Sequence, residues 1–260
     1  MKTVFYRLEC LTNLHVGSGE NNYQIVDNEV EKDITGIPMI HASGMKGALR
    51  QALRGVYSEA EIQIIFGKTG EKNIGNSGSC KFLDAHLLSR PMRVAGSSET
   101  PCASVTTIHA VNRFLKQMRD FGVEFADGEA VELPSFGDAM FLSASEESIE
   151  VEGEKTGRLT DPVLGRLTAL SDLLFTAPFA VAKTFDGYDL PVLARNCVEK
   201  GRENLWFEEV VPSGSVFFFA VVYPDGEQEL RFPKVLQIGG NSSIGCGLTR
   251  ISKIAQSAEE

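Results

Sequence analysis

The sequence predicts an α+β fold, and three observations lead to that class. The chain begins with an alternation of apolar and polar residues over 3–12, which is the period of a half-buried strand. Its most apolar segment, 215–224, is a short run typical of a buried strand. Between them, helical and strand patterns follow one another without the regular rhythm of a doubly wound sheet. The 260 residues, 43% of them hydrophobic, suffice for one large domain or two small ones.

The elements are predicted from local periodicity, capping residues and glycine-rich breaks. In the first half they are strand 3–12, a glycine-punctuated loop from His15, a polar strand or extended loop over 24–34, a helix capped by Ser43 over 45–57, and a helix from Ser58 to Gly67. In the second half they are loop 68–79, a strand over 80–88, helix 104–121, a partly disordered insertion over 122–161, a helix over 161–175, strand 215–224, and a glycine-rich turn followed by a last strand.

The charge distribution limits the partners that the protein can have. With 25 basic and 35 acidic residues the net charge is −10, which argues against a free-standing nucleic-acid binder and against attraction to anionic membranes. The excess acid is local. Residues 121–161 carry 11 acidic and two basic residues, whereas 41–120 carry 11 basic and six acidic residues. Such segregation permits a phosphate-binding face on an acidic protein, although a solvated surface explains it equally well.

The cellular compartment is predicted from what the sequence contains and lacks. No apolar run approaches the roughly 18 residues of a membrane span, so no membrane association is expected. The first residues lack the pattern of a signal peptide. Five cysteines without a CxxC pair disfavour a disulfide scaffold or a four-cysteine zinc site. These features indicate a cytoplasmic protein.

Four groups of residues could carry chemistry, and each also has a structural explanation. His15 precedes a Gly-Ser-Gly turn that could bind an anion, or it is a packed histidine. Lys46, Arg50 and Arg54 form one row of a helix, which suits a phosphodiester backbone or a solvated face. Four glycines between 239 and 247 require positive φ or close backbone approach, but fit neither a dinucleotide nor a Walker loop. The last group is a row of carboxylates at spacing two, which a solvated edge explains, although one of them near the glycine-rich loops could be a general base or metal ligand: Asp27, Glu29, Glu31 and Asp33.

Several segments, taken together and in this order, resemble one family. They are LTNLHVGSG (11–19), IVDNEV (25–30), TGIPMI and SGMKGALR (35–50), IFG (65–67), LDAHLLSRPMRV (83–94), VNRF (111–114), NLWFEEVVPSGSVFF (204–218) and LQIGGNSSIGCGL (236–248). The chain resembles the backbone subunits of type III-B CRISPR (Cmr) effector complexes, which belong to the repeat-associated mysterious protein (RAMP) superfamily.

The resemblance implies a single domain with a modified ferredoxin-like, RRM-like core (1–121 and 205–260), an inserted lobe (122–189) and a projecting β-hairpin thumb (190–204). It also implies that copies stack into a filament along CRISPR RNA with other Cmr-type subunits, and that target RNA is cleaved with a divalent metal ion, Mg²⁺ or Mn²⁺. The implied catalytic residue and possible metal ligand is Asp27, with His15 and Glu208 as secondary candidates. The implied RNA-binding residues are Ser43, Lys46, Arg50, Arg54, Arg195, Gly239, Gly240, Asn241 and Ser242.

Two rival functions stay open at this stage. The protein could be a structural CRISPR-RNA-binding subunit without nuclease activity, or a small-molecule enzyme that binds phosphate through its glycine-rich loops. An endoribonuclease needs few histidines, because RNA carries its own nucleophile, the 2′-hydroxyl. The aspartate at position 27 favours the nuclease.

Overall fold

The structure, a computed structural model of the 260-residue chain, describes residues 1–19, 26–68, 77–95, 101–123, 141–143, 149–158, 179–182, 190–199 and 202–256. Its elements are β1 (Lys2–Cys10), β2 (Met39–Ile40), α1 (Ala42–Leu53), α2 (Glu59–Phe66), β3 (Lys81–Phe82), β4 (Ala85–Ala95), β5 (Cys102–Thr107), α3 (Ile108–Asp120), β6 (Phe141–Ser143), β7 (Glu150–Val151), β8 (Glu154–Arg158), β9 (Phe179–Ala182), β10 (Val192–Glu199), β11 (Arg202–Glu209), β12 (Val216–Tyr223), β13 (Leu236–Gln237) and β14 (Leu248–Gln256).

Strand β1 lies at the centre of the fold, antiparallel to β12 on one side and β14 on the other. The sheet has the order β13-β14-β1-β12-β4-β5-β9-β6-β8-β7, and β2 and β3 pair with β4 and β12. Most of the pairings are antiparallel, and all eight residues of β12 are buried. The predicted α+β class and the predicted buried strand near the C-terminus are therefore confirmed.

Two hydrophobic cores lie on the two faces of β1. Tyr6 and its alternate neighbours pack with α1 and α2 in one core. Phe5 points the other way and packs with α3, where its ring lies 6.2 Å from that of Phe114, and Phe114 lies 4.9 Å from Phe218. Because successive side chains of a strand point to opposite faces, one strand supplies both cores. The strand predicted to be half-buried is thus buried on both faces at Phe5.

Helix α2 begins and ends where the sequence predicts, whereas α1 differs from its predicted bounds. Ser58 caps α2 in a capping box with Glu61, and Gly67 ends the helix, as predicted. At α1 the prediction of Ser43 as N-cap is wrong. Ser43 lies inside the helix, and the carboxylate of Asp84 accepts a hydrogen bond from Ala42 N at 2.6 Å. The acceptor thus comes from a distant turn and takes the place of a local cap.

The end of α1 also differs from the prediction. The helix stops at Leu53, so Arg54 is its C-cap residue, and Val56, which falls within the predicted helix, lies beyond its end and is 49% exposed. None of the described helices is long and apolar enough to cross a membrane.

The helix predicted over 104–121 is correct only in its second part. Residues Cys102–Thr107 form β5, and α3 begins after Thr107, whose hydroxyl accepts a hydrogen bond from Ala110 N. Five of the six β5 residues are buried between β4 and β9. Ser104 and Thr106 are buried and hydrogen-bonded within the sheet, and periodicity alone does not separate so short a buried strand from part of a helix.

The region after α3 contributes strands to the same sheet. Strands β6, β7 and β8 belong to the acidic segment that was expected to lack regular structure, and β9 joins β5 in parallel. The helix predicted over 161–175 lies outside the described residues. Strands β10 and β11 form a separate two-stranded hairpin, which extends to Glu209 and so includes Trp206.

Candidate functional site

The loop that carries Asp27 is fixed against the hairpin strand β11. The backbone amides of Asp27 and Asn28 donate to Phe207 O at 3.0 and 3.1 Å. In return, Phe207 N donates to Asp27 Oδ2 at 2.7 Å. Asp27 is exposed, and its other oxygen, Oδ1, accepts no hydrogen bond from the described residues. The carboxylate is therefore oriented through one oxygen and available through the other.

The remaining carboxylates of this loop each lie near a basic side chain. Glu29 Oε2 lies 4.0 Å from Lys32 Nζ, and Glu31 Oε1 lies 3.1 Å from His41 Nε2. Asp33 Oδ2 lies 2.7 Å from Arg113 Nη1. Three of the four carboxylates in the row thus have a basic side chain within 4.0 Å. Among the described residues, Asp27 is the one member of the row without a basic side chain beside it.

Asp33 anchors the end of this loop. Its Oδ1 accepts hydrogen bonds from the backbone amides of Thr35 and Ile37, and its Oδ2 accepts from Arg113 on α3. Burial favours the protonated form, but the hydrogen bonds from Thr35 and Arg113 outweigh burial, so the pKa of Asp33 is lowered. The loop is held at this end by a charged group that is ionised in the folded protein.

Glu208 is a buried carboxylate surrounded by donors. Its Oε1 accepts from Trp206 Nε1 at 2.8 Å, and its Oε2 accepts from Asn241 Nδ2 at 2.8 Å and from Arg195 Nε at 3.3 Å. Asn28 Nδ2 lies 3.5 Å from Oε1. Burial raises the pKa of Glu208, but the bonds from Trp206 and Arg195 outweigh burial and lower it. Both oxygens are occupied, which is the arrangement of a group that holds others in place.

His15 lies between the two glycine-rich loops. Its Nδ1 is 2.7 Å from Glu209 O, and its backbone carbonyl accepts from Gly240 N at 2.8 Å. A Cβ atom on Gly239 would lie 2.3 Å from that same carbonyl oxygen, and the φ of Gly239 is +76°. No other residue type fits Gly239 without movement of the backbone. The close backbone approach that was predicted for the glycine run is therefore confirmed at Gly239.

A groove separates the glycine-rich loop from α1. Its volume is about 370 Å³, and its helix side is built from small residues, among them Gly44, Gly47 and Ala48, opposite Ile238 and Gly239. Small side chains leave the backbone accessible to a ligand. The groove is lined by Gly239, one of the predicted RNA-binding residues.

The predicted cations lie on a neighbouring row of α1 and not in the groove wall. Lys46 is half-buried, and Arg54 is exposed, donating to Gln51 Oε1 at 2.9 Å. Arg50 is half-buried, and its Nε and Nη2 have no hydrogen-bond partner among the described residues. Ser43 and Ser242 are exposed. Arg195, by contrast, binds Glu208, and the residue before Glu208, Phe207, binds Asp27. We call these residues the Asp27 cluster.

The sequence reasoning missed several partners of this cluster. Trp206 was used only for the resemblance, although Trp206 and Glu208 stand two residues apart on one strand and therefore share a face. That spacing was a readable signal. The contacts of Asn28 and Arg113 had no local signal, because each reaches a residue that is distant in the chain.

Comparisons with known proteins extend over almost the whole chain. A family model for the RAMP superfamily matches residues 7–250. The chain is 26% identical to a protein of Pyrococcus furiosus named CRISPR system Cmr endoribonuclease Cmr4, with 97% of this chain and 96% of that protein covered. It is 24% identical to the CRISPR system CMR subunit Cmr4 of Saccharolobus solfataricus, with 94% of each covered.

Solved structures show the same fold. A chain in the cryo-EM structure of the type III-B Cmr-beta bound to cognate target RNA has a TM-score of 0.76 at 18% identity, with 97% of both chains covered. Oligomeric Cmr4 from Pyrococcus furiosus has a TM-score of 0.72 at 21% identity, with 98% of this chain and 99% of that chain covered.

Proposed function

Because the chain belongs to the RAMP superfamily, we propose that it is the backbone subunit of a type III-B CRISPR effector complex and cleaves complementary target RNA within it. Its partners are CRISPR RNA, target RNA, further copies of itself and other Cmr-type subunits. The near-complete coverage of relatives that carry the Cmr4 name supports this role. So does the likeness to chains solved in such a complex. We place this activity in the cytoplasm.

The proposed architecture is a ferredoxin-like core over 1–121 and 205–260, an inserted lobe over 122–189 and a thumb built on 190–204. The hairpin of β10 and β11 supports the thumb, since it forms a sheet of its own. Leu205, 61% exposed, and Val192, 45% exposed, give the hairpin apolar side chains of the kind that wedge between base steps. A hairpin placed there would separate the guide–target duplex and relax the geometry that protects the RNA linkage.

The guide RNA is proposed to lie along the groove between α1 and the glycine-rich loop. The small residues of the groove allow the sugar–phosphate backbone to approach closely. Lys46, Arg50 and Arg54 supply positive charge on the adjoining row, which suits a phosphodiester backbone. Ser242, which is exposed, extends the polar edge of the loop, whereas the Asn241 amide is bonded to Glu208.

Cleavage is proposed to occur by attack of an RNA 2′-hydroxyl on the adjacent phosphorus, which breaks the bond to the 5′ oxygen and leaves a cyclic phosphate. Asp27 stands at this step, either receiving the hydroxyl proton or binding a cation, and both roles use its Oδ1. His15 and Glu208 support the site by holding its loops, because Glu209 O binds the His15 ring and both oxygens of Glu208 are bonded.

The residues present fit a divalent cation only if RNA completes its ligand set. Among the described residues there is no group of three His, Cys, Asp or Glu side chains that could hold a metal ion. A single exposed carboxylate suits Mg²⁺, which keeps several waters and binds one or two carboxylates together with substrate phosphates. A cation bound in this way would neutralise charge that develops on the phosphate.

The observation that carries this proposal is the carboxylate of Asp27, oriented by Phe207 N and free of a cation among the described residues. The test is to assemble the complex with a guide of known sequence and to map the products of complementary and unrelated RNA. We expect cuts at regular intervals in the complementary RNA alone, with loss of cutting on chelation and recovery with Mg²⁺ or Mn²⁺. Tight binding without cuts under every condition would instead assign a structural role.

A further inference from the structure

Asn241 joins two parts of the site that are far apart in the chain. It begins the short 3₁₀ turn Ser242–Ile244 inside the glycine-rich loop, with φ +60°. Its side-chain Nδ2 donates to Glu208 Oε2 at 2.8 Å. The left-handed conformation is tolerated by Asn better than by most residues. The loop thus presents a side-chain donor to the hairpin from a position whose backbone only a few residue types accept.

The contact between Asn241 and Glu208 is connected to Asp27 through one residue, Phe207. Glu208 follows Phe207, whose amide orients the Asp27 carboxylate at 2.7 Å. On the loop side, Asn241 follows Gly240, whose amide binds the His15 carbonyl at 2.8 Å. Two bonds from consecutive residues of the glycine-rich loop therefore reach His15 and Glu208.

We propose that Asn241 is a positioning residue for target cleavage, which fixes the hairpin strand, and through it Asp27, relative to the glycine-rich loop that holds the guide. This inference rests on the proposed function. It adds that the loop sets the register between bound guide and cutting group, and that binding and cutting are separable at one side chain.

The burial of Glu208 explains why loss of the Asn241 side-chain amide would affect the position of the hairpin strand. The carboxylate is 6% exposed, so water cannot easily replace a lost donor. Of the two donors on Oε2, Asn241 makes the shorter bond, at 2.8 Å against 3.3 Å for Arg195. Removing the amide frees the hairpin strand to shift, and a misplacement of about 1 Å at a reacting group costs about 10²-fold in rate.

Two substitutions at Asn241 distinguish the role of its side chain from that of its backbone conformation. Asn241→Gly keeps access to positive φ and removes the donor. Asn241→Asp keeps the size and places a second carboxylate against Glu208. Ser243→Ala, an exposed position on the same turn, is the matched control. The double variant Asn241→Asp with Glu208→Gln restores a donor–acceptor pair with the roles exchanged.

The activity readout is single-turnover cleavage by the assembled complex, beside target binding. We expect Asn241→Gly to cut about tenfold more slowly, and Asn241→Asp at least tenfold more slowly, because the strand that orients Asp27 is then held less firmly. Target binding should stay within about threefold of the unsubstituted complex. The double variant should recover most of the loss relative to Asn241→Asp, and Ser243→Ala should have no effect.

Trp206 gives a second readout that does not depend on activity. It is the only tryptophan of the chain, and its indole N–H donates to Glu208 Oε1 at 2.8 Å. The single indole resonance in an NMR spectrum of the ¹⁵N-labelled full chain therefore reports on Glu208. We expect Asn241→Gly to shift this resonance and to raise the pH at which it titrates, since the charged carboxylate has lost a donor.

The inference is overturned if both Asn241 variants cut at the unsubstituted rate, or if their indole resonance titrates unchanged. It is also overturned if binding and cutting fall by the same factor. Failure of the proposed function looks different, because the unsubstituted complex would then not cut guided target at all while the indole shift persisted.

Discussion

Gly239 offers a direct measure of how tightly the glycine-rich loop is held against His15. In Gly239→Ala the new Cβ would lie 2.3 Å from the His15 carbonyl oxygen and 3.0 Å from the carbonyl carbon. Both atoms belong to the backbone, so neither can rotate away. The loop must move, and the 2.8 Å bond from Gly240 N to the same oxygen is then lost.

The size of the effect is obtained by comparison with Gly245→Ala on the same loop. Gly245 also has a left-handed backbone, with φ +81°, but a Cβ there would meet nothing within 4 Å. Each substitution costs about 1–2 kcal/mol for the positive φ. Gly239→Ala loses in addition a hydrogen bond worth about 0.5–1.5 kcal/mol and displaces packed backbone. We expect it to exceed Gly245→Ala by about 1–3 kcal/mol.

Urea denaturation of the purified chain measures both free energies of unfolding, and the two denaturant slopes must agree for the comparison to hold. A guide-binding assay in parallel should show the larger loss for Gly239→Ala. Equal destabilisation by the two substitutions would refute the claim that the loop packs against the His15 carbonyl.

Three further changes test other parts of the account. Phe114→Ala, which removes a fully buried ring between Phe5 and Phe218, should lower the free energy of unfolding by about 3–5 kcal/mol in the same assay; a loss below 1 kcal/mol would contradict this packing. Asp33→Asn should destabilise the chain by about 1–2 kcal/mol at pH 7. Because the pKa of Asp33 is lowered on folding, its ionised form stabilises the fold above the unfolded pKa of about 3.9, and that stabilisation is lost as the pH falls through the lower folded pKa; a difference from the unsubstituted chain that persisted in acid would exclude the ion pair as its source. Lys46→Ala should reduce the salt dependence of guide binding by about 0.7 in log–log slope, and an unchanged slope would make Lys46 a solvated residue.

Local patterns in the sequence predict the elements whose causes are local. The alternation in β1, the capping box of Ser58 and Glu61, and the apolar run of β12 each determine their element from residues close in the chain. The start of α1 could not be predicted in this way, because Asp84 supplies the acceptor from elsewhere. The strand Cys102–Thr107 was missed because its burial depends on strands contributed by distant segments.

The candidate site shows the same division between local and long-range causes. The sequence directs attention to Asp27, His15 and Glu208, but not to what distinguishes Asp27 from its acidic neighbours. That distinction comes from His41 and Arg113, which pair with Glu31 and Asp33 across the fold. Net charge is a poor guide for a related reason, because the acid excess lies in 121–161, away from the segments that form the site.

The central claim is that the Asp27 carboxylate cuts the target RNA, and Asp27→Asn tests it most directly. The asparagine carbonyl can still accept the hydrogen bond from Phe207 N, so the loop should stay in place while the charge at the free oxygen is lost. Glu29→Gln, which neutralises another carboxylate of the same loop, is the matched control. We expect the guided complex with Asp27→Asn to bind target normally and to cut at least about 100-fold more slowly, with Glu29→Gln unaffected. Cutting at the unsubstituted rate by the Asp27→Asn complex would contradict the claim.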